Sequence, residues 1–334
     1  MNMKIKTYLF ILTFIMMALA ACGNKSKASA EMEQDSVQVQ VPVFNADSAY
    51  QYIKAQTDFG PRIPNSKAHD ACGDYLVKML KAFGAKVTEQ KMDLTGYDGK
   101  TLKGRNIIGA YKPENPKRII ICSHWDSRPW ADNDPDKKNH HTPIDGANDG
   151  ASGVGVILEM ARLIQQQQPE IGIDFIFFDM EDYGTPQWEN KEDDENSWCL
   201  GTQYWARNPH VEGYNARFAI LLDMVGGQNP TFYQESYSLK YAQSVVNKVW
   251  NKANNLGYSS YFIPSEGEPV TDDHLPINRI AGIPCIDIIP YDQSGQSSGF
   301  GPTWHTVNDN MEHIDKNTLQ IVGNTLIGVI YNEK

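Results

Sequence analysis

The chain has 334 residues, 41% of them hydrophobic and 21% charged, which allows a substantial core and excludes wholesale disorder. A formal net charge of -11 argues against nucleic acid or an anionic membrane surface as partner, and most of it reads as a solvated acidic exterior.

Taken in chain order, the first residues carry Lys4 and Lys6, then an apolar stretch, then small residues, the pattern of a signal peptide over 1–21. Leu19-Ala20-Ala21-Cys22 resembles a bacterial lipobox, implying that Cys22 becomes the lipidated first residue of an exported, membrane-anchored, periplasm-facing lipoprotein. Residues 22–44 are polar and aperiodic and read as a tether, leaving 45–334 as the folded domain. No later apolar stretch is long enough to span a bilayer. The other cysteines, Cys72, Cys122, Cys199 and Cys285, form no CxxC pair. Cys122 and Cys285 fall inside apolar strand-like runs, where a buried free thiol is usual, and no disulfide is expected.

Helical spacing over 47–56 and 66–83, the second closed by Gly84, brackets a turn-rich loop, FGPRIPNS. Neighbouring strands are expected over 87–94 and 104–112, and RIIICSH (118–124) reads as a fully buried strand. A helix over 151–167 precedes the buried strand IDFIFFD (173–179). A helix near 201–208, a strand over 218–226, a long helix over 238–256, a buried strand over 283–290 and a closing helix over 316–332 follow. Buried strands alternating with helices predict a single α/β domain with a central mixed, mainly parallel sheet flanked by helices. Ligands of such sheets bind beyond the carboxyl ends of the strands.

The polar residues sit at those ends. His124 and Asp126 follow the 118–124 run, the run Asp145-Gly146-Ala147-Asn148-Asp149-Gly150 precedes the 151–167 helix, and Glu181 and Asp182 follow IDFIFFD. Asp223 ends FAILL, and Trp304-His305-Thr306 follows the last strand and a Gly/Ser-rich loop. Adjacent carboxylates at the rim of a core repel and lose hydration unless a proton or a cation lies between them. Imidazole with carboxylate is the donor set of a catalytic zinc, so the cation is read as a metal. His124 and Asp126, two apart, suit a ligand and the acceptor that fixes its ring.

The order HxD, GANDGASG, Glu181-Asp182, LLDMVG and WHT resembles the zinc-dependent M28-type aminopeptidases and, more closely, the glutaminyl cyclases on the same fold. The resemblance covers about 47–332, FGPRIPNS included. It implies one zinc on Asp149, Asp182 and His305, with Glu181 as acid and base and Asp223 and Asp272 sharing a proton with it. His124 and Asp126 become the remnant of a second metal site, and Trp188 and Trp304 wall the substrate pocket. The implied reaction converts the N-terminal glutamine of peptides and proteins to pyroglutamate and releases ammonia. Asp272-Asp273-His274, Trp304 before His305, and Trp188 after the acid pair favour the cyclases. Asp182 departs from the glutamate that animal cyclases and most peptidases carry. His274 is expected to be a structural donor, His140 and His141 to be exposed, and the acidic insert 189–198 to be a solvated loop. The alternative is a two-zinc aminopeptidase with a bridging water and Glu181 as base, its second metal on His124, Asp149 and Asp223. A monomer is the default expectation.

Overall fold

A six-stranded sheet organises the molecule. The computed structural model describes residues 40–189, 195–293 and 298–334. The signal peptide, Cys22, nearly all of the tether and the centre of the acidic insert lie outside the described residues. Val39–Lys334 makes one compact unit.

Two helices, α1 (Ala46–Thr57) and α2 (Lys67–Ala82), lead into the antiparallel pair β1 (Lys86–Thr95) and β2 (Thr101–Tyr111). Then follow β3 (Arg118–His124), α3 (Ala151–Gln166), β4 (Gly172–Phe178), α4 (Leu200–Arg207) and β5 (Ala219–Leu222). The chain continues through β6 (Phe232–Gln234), α5 (Ser236–Asn255), β7 (Phe262–Glu266), the short α6 (His274–Pro276), β8 (Cys285–Ile288) and α7 (Lys316–Ile330). The strand order is β1-β2-β4-β3-β5-β8, with β4, β3, β5 and β8 mutually parallel and β2 antiparallel to β4. The expected α/β sheet is therefore present, mixed and mainly parallel.

Period-two alternation explains the layers. Ile119 and Ile121 of β3 face the large core with α1, α3, α5 and α7, while Ile120 and Cys122 face the smaller core with α4 and the turn after α6. On β4, Phe175 and Phe177 point one way and Phe178 the other, all fully buried. Each such ring contributes roughly 2–3 kcal/mol on leaving water. Both faces being covered is why these strands read as unbroken apolar runs.

From β3 the chain crosses to β4 on one side, and β5 pairs on the other, so the strand order reverses between β3 and β5. That reversal opens a crevice at the carboxyl ends of the strands.

Two differences from the sequence reading have local causes. The strand expected to reach 226 stops at Leu222: Asp223 N–H to Ile288 O is the last bond to β8, and Met224 takes φ 49°, which turns the chain out of the sheet. The two-stranded sheet of β6 and β7 was not expected, and its strands have only three and five residues. Among the described residues, no helix is long and apolar enough to cross a membrane.

Candidate active site

The strand ends deliver the acids and imidazoles to one place. His124 closes β3, Asp149 stands one residue before the Gly150 cap of α3, Glu181 and Asp182 follow β4, and Asp223 follows β5. Gly150 is required there. Its φ of 96° suits glycine, and an added Cβ would lie 2.4 Å from Asp126 O. Asp309 fixes the same turn by accepting the N–H groups of Asn148 (2.7 Å) and Asp149 (3.1 Å). Arg62, from the FGPRIPNS loop, donates to the carbonyls of Trp125, Asp145 and Gly146, tying that loop to the turn.

Asp149 stands between the two histidines. One of its oxygens is 3.0 Å from His124 Nε2 and the other 3.6 Å from His305 Nε2. His124 Nε2 also lies 3.2 Å from Asp223 Oδ1, and His305 Nε2 lies 3.2 Å from Asp182 Oδ1. Two donor groups result, His124–Asp149–Asp223 and Asp149–Asp182–His305, the donor atoms within each lying within 4.8 Å of one another. Asp126 aligns the set by accepting the N–H groups of Glu181 and Asp182, each at 3.2 Å, with His124 Nδ1 at 3.6 Å from the same carboxylate.

His305 is held from behind. Its backbone takes φ 53°, and its Nδ1 lies 3.3 Å from Asp132, whose carboxylate is forked by Arg128 at 2.9 and 2.6 Å. Burial disfavours the Asp132 charge, yet the hydrogen bonds from Arg128 and His305 hold its carboxyl well below the usual range. Arg128 also donates to Asp182 O at 3.0 Å.

The donor set fits a divalent ion. Asp182 Oδ2 is buried without a hydrogen-bond partner, an arrangement that a cation relieves. Burial and the neighbouring Asp149 charge raise the Asp182 carboxyl above its ordinary value. Two carboxylates and an imidazole with a neighbouring cavity are the donors zinc takes in catalytic sites.

The other acids form a different arrangement. Polar atoms of Glu181, Cys199 and Asp272 lie within 4.8 Å of one another, and Cys199 Sγ donates to Glu181 Oε1 at 3.4 Å. Burial, then the charges of Asp182, Asp272 and Asp273, push the Glu181 carboxyl well above its ordinary value. Burial and Asp223 push Asp272 up to about 7, while burial and Asp149 push Asp223 up to about 6. Behind Asp272, the buried Asp287 of β8 and Glu235 flank His274, at 3.7 Å from Nδ1 and 3.2 Å from Nε2. His274 is thus a fully buried imidazole between two carboxylates.

A cavity of about 420 Å³ opens onto this site, lined by Trp198, Trp304, Phe300, Val270, Thr185 and His305 among others. Trp304 stacks on His305 at 3.9 Å between ring centres. Trp188 is placed elsewhere, edge-on to Trp130 at 5.9 Å and against His141 at 4.4 Å. The second indole of the pocket is Trp198, parallel to His305 at 6.3 Å and under the Arg128 guanidinium at 4.6 Å. Gly184 makes room for it, since a Cβ there would sit 2.0 Å from the ring. His141 is exposed, but His140 is half-buried and bonded to Asp134 O at 2.9 Å. Cys72, Cys122, Cys199 and Cys285 are buried free thiols.

Sequence reasoning thus named the acids and imidazoles of the site and missed Arg128, Asp132, Cys199, Trp198 and Asp309. Arg128 and Asp132 carried a faint signal, being oppositely charged four residues apart in a loop that follows a buried strand.

The carboxyl-end crevice, the shared aspartate and the paired imidazoles belong to a metallohydrolase-like α/β class, and the sequence comparison makes it specific. The chain belongs to peptidase family M28, which matches residues 106–330. Among solved structures, it is similar to the glutaminyl cyclase of Bacteroides thetaiotaomicron bound to N-acetylhistamine, at 64% identity and TM-score 0.87 over 88% of this chain and 100% of that one. It is also similar to a Zn-dependent exopeptidase from Parabacteroides distasonis, at 56% identity and TM-score 0.86 over 88% and 100%. A curated relative, aminopeptidase YwaD of Bacillus subtilis, is 28% identical over 285 residues, 81% of this chain and 54% of the relative. The chain therefore spans about half the length of that relative. Zinc is the ion these relatives imply.

Proposed function

We propose that this chain is a glutaminyl-peptide cyclotransferase, turning the N-terminal glutamine of peptides and proteins into pyroglutamate with release of ammonia. The observation that carries the reading is Asp272 packed against Glu181 and Cys199, which puts a proton-sharing acid beside the acid that follows β4. In the reaction the α-amine nitrogen attacks the γ-carboxamide carbon. A C–N bond forms, the bond to the amide nitrogen breaks, and one proton passes from the amine to the departing ammonia.

Asp149, Asp182 and His305 would hold one zinc, which when bound supplies Lewis-acid polarisation of the carboxamide oxygen. Glu181 takes the proton from the attacking amine and returns it to the leaving nitrogen. Its raised affinity for a proton suits both transfers, and because Glu181, Asp223 and Asp272 interact they titrate as a set. Trp198 and Trp304 restrict the glutamine side chain to folded conformers, removing torsional freedom before ring closure. Asp132 and Arg128 keep the His305 ring and the Asp182 backbone in place. The protein acts as a monomeric lipoprotein anchored through Cys22 and facing the periplasm, on exported proteins whose processing leaves glutamine first.

Mass spectrometry of a Gln-Xaa-Xaa peptide incubated with the zinc-loaded protein tests this. Loss of ammonia alone, with every residue kept, is the expected product. Removal of the whole glutamine supports the second reading, a two-zinc aminopeptidase, which the closeness of His124, Asp149 and Asp223 favours.

A further inference from the structure

Glu181 and Asp182 sit on a turn whose backbone is bonded at every residue from 179 to 182. Asn106 Oδ1 accepts the Asp179 N–H at 3.0 Å, Asp179 Oδ1 accepts the Met180 N–H at 2.8 Å, and Asp126 accepts the next two. The carbonyls of Asp179, Met180 and Glu181 accept the N–H groups of Gly201, Leu200 and Cys199 at 3.0, 3.0 and 2.9 Å. That of Asp182 accepts from Arg128. The start of α4 thus packs directly on the turn, and a Cβ at Gly201 would sit 2.1 Å from Asp179 O. What this clamp leaves free is the Glu181 side chain, with its rotatable bonds and two equivalent oxygens.

Cys199 meets that side chain. It immediately precedes α4, in the left-handed region at φ 55° and ψ 34°, a conformation costly for any residue but glycine. Its side chain makes no cap bond to the helix, the usual task at that position. Instead Sγ donates to Glu181 Oε1 at 3.4 Å. Burial, then the Glu181 charge, raises the thiol well above its ordinary value, so the sulfur keeps its proton and remains a donor. With Oε1 engaged as an acceptor, a proton carried by Glu181 belongs on the other oxygen.

We infer that Cys199 is a positioning residue for the proton transfers: its thiol holds the Glu181 carboxyl in one rotation, with Oε1 engaged and Oε2 left to take the proton from the amine and pass it to the departing nitrogen. The inference rests on Glu181 being the acid and base of the proposed cyclotransferase. The thiol itself forms no bond with the substrate and gives up no proton; it acts through Glu181. A carboxyl without this hold samples rotations in which neither oxygen meets the amine, which lowers kcat and leaves the pocket that governs KM untouched.

The test measures ammonia release from Gln-Ala-Ala by the zinc-loaded parent protein and by Cys199→Ala, Cys199→Gly and Cys199→Ser, with Tm and zinc content taken for each. Alanine and glycine both remove the donor. Glycine also adopts φ 55° without strain, which keeps the reading available should Cys199→Ala fail to fold. Serine restores a donor on a shorter arm. In Cys199→Ala and Cys199→Gly, kcat is expected to fall about tenfold at unchanged KM and zinc content, the scale of one lost hydrogen bond, and Cys199→Ser to regain at least about threefold over alanine. A cysteine that only filled space would leave serine and alanine alike. Parent-like kcat in either donor-free variant, a serine variant no faster than alanine, or a change confined to KM overturns the positioning role alone. No ammonia from the parent protein overturns the cyclotransferase reading and the positioning role together, so the two failures are distinguishable.

Discussion

The two halves of the site are made of the same acids in opposite company. Around His305, each carboxylate has a cationic or donor neighbour. Asp132 is forked by Arg128, Arg128 reaches the Asp182 carbonyl, and Asp149 meets both imidazoles. Around Asp272 the neighbours are other acids, Asp223, Asp273 and Asp287, with His274 as the nearby base. The first half keeps Asp149 below its ordinary value, against burial, through the His124 hydrogen bond and the charges of His124, His305 and Arg128. The second raises Glu181, Asp272, Asp273 and Asp287, chiefly through burial, whereas Glu235, beside His274 and Ser238, is held below its ordinary value. One half is arranged to hold a cation and the other to hold protons. A single buried carboxylate can serve either purpose, and its neighbours decide which.

Glu181→Gln should separate the halves most sharply. Turnover should fall roughly 100- to 10,000-fold, the range for a lost general acid and base, while zinc content and fold are kept. Full activity in that variant would remove Glu181 from the chemistry. Asp132→Asn should weaken zinc binding roughly 10- to 100-fold by releasing the His305 ring, as read by competition with a chelator. Unchanged zinc affinity would mean that His305 needs no such support. A smaller effect is expected at the pocket wall, where Trp198→Ala should raise KM several-fold and Trp188→Ala should leave it nearly unaltered. The reverse order would restore Trp188 to the pocket.

The smallest expected effect is a stability profile of the metal-free protein. Asp272 has a folded value of about 7 against an ordinary 3.8, so its protonated form is the one that favours the native state. Its contribution is fully present below pH about 4 and is lost as the pH rises through about 7. Thermal denaturation of chelator-treated protein should show Tm falling across that window, with a shallower fall in Asp272→Asn. An identical slope in the two proteins would contradict a proton-holding half.

Much of this was legible in the sequence because buried parallel strands must be apolar throughout, so any acid or imidazole at their ends stands out. His124, Glu181, Asp182, Asp223 and, past a loop, His305 stand out in that way, whereas Asp149 is singled out by the resemblance of GANDGASG, and their convergence follows from the strand order. The rest depended on packing that leaves no periodic mark. Arg128 and Asp132 matter because their loop meets His305, more than 170 residues along the chain. Trp188 and Trp198 flank one acidic insert, and spacing from Glu181 favours the nearer indole, whereas the room left by Gly184 selects the farther. The short β6 and β7 carry too few residues for a pattern to register.

The measurement that bears most directly on the division between the halves is zinc stoichiometry by elemental analysis, made on the parent protein and on Asp223→Asn. One zinc per chain is expected in both, because Asp223 belongs with the protons. Two zincs in the parent protein and one in Asp223→Asn would contradict it, giving Asp223, with His124 and Asp149, to a second metal.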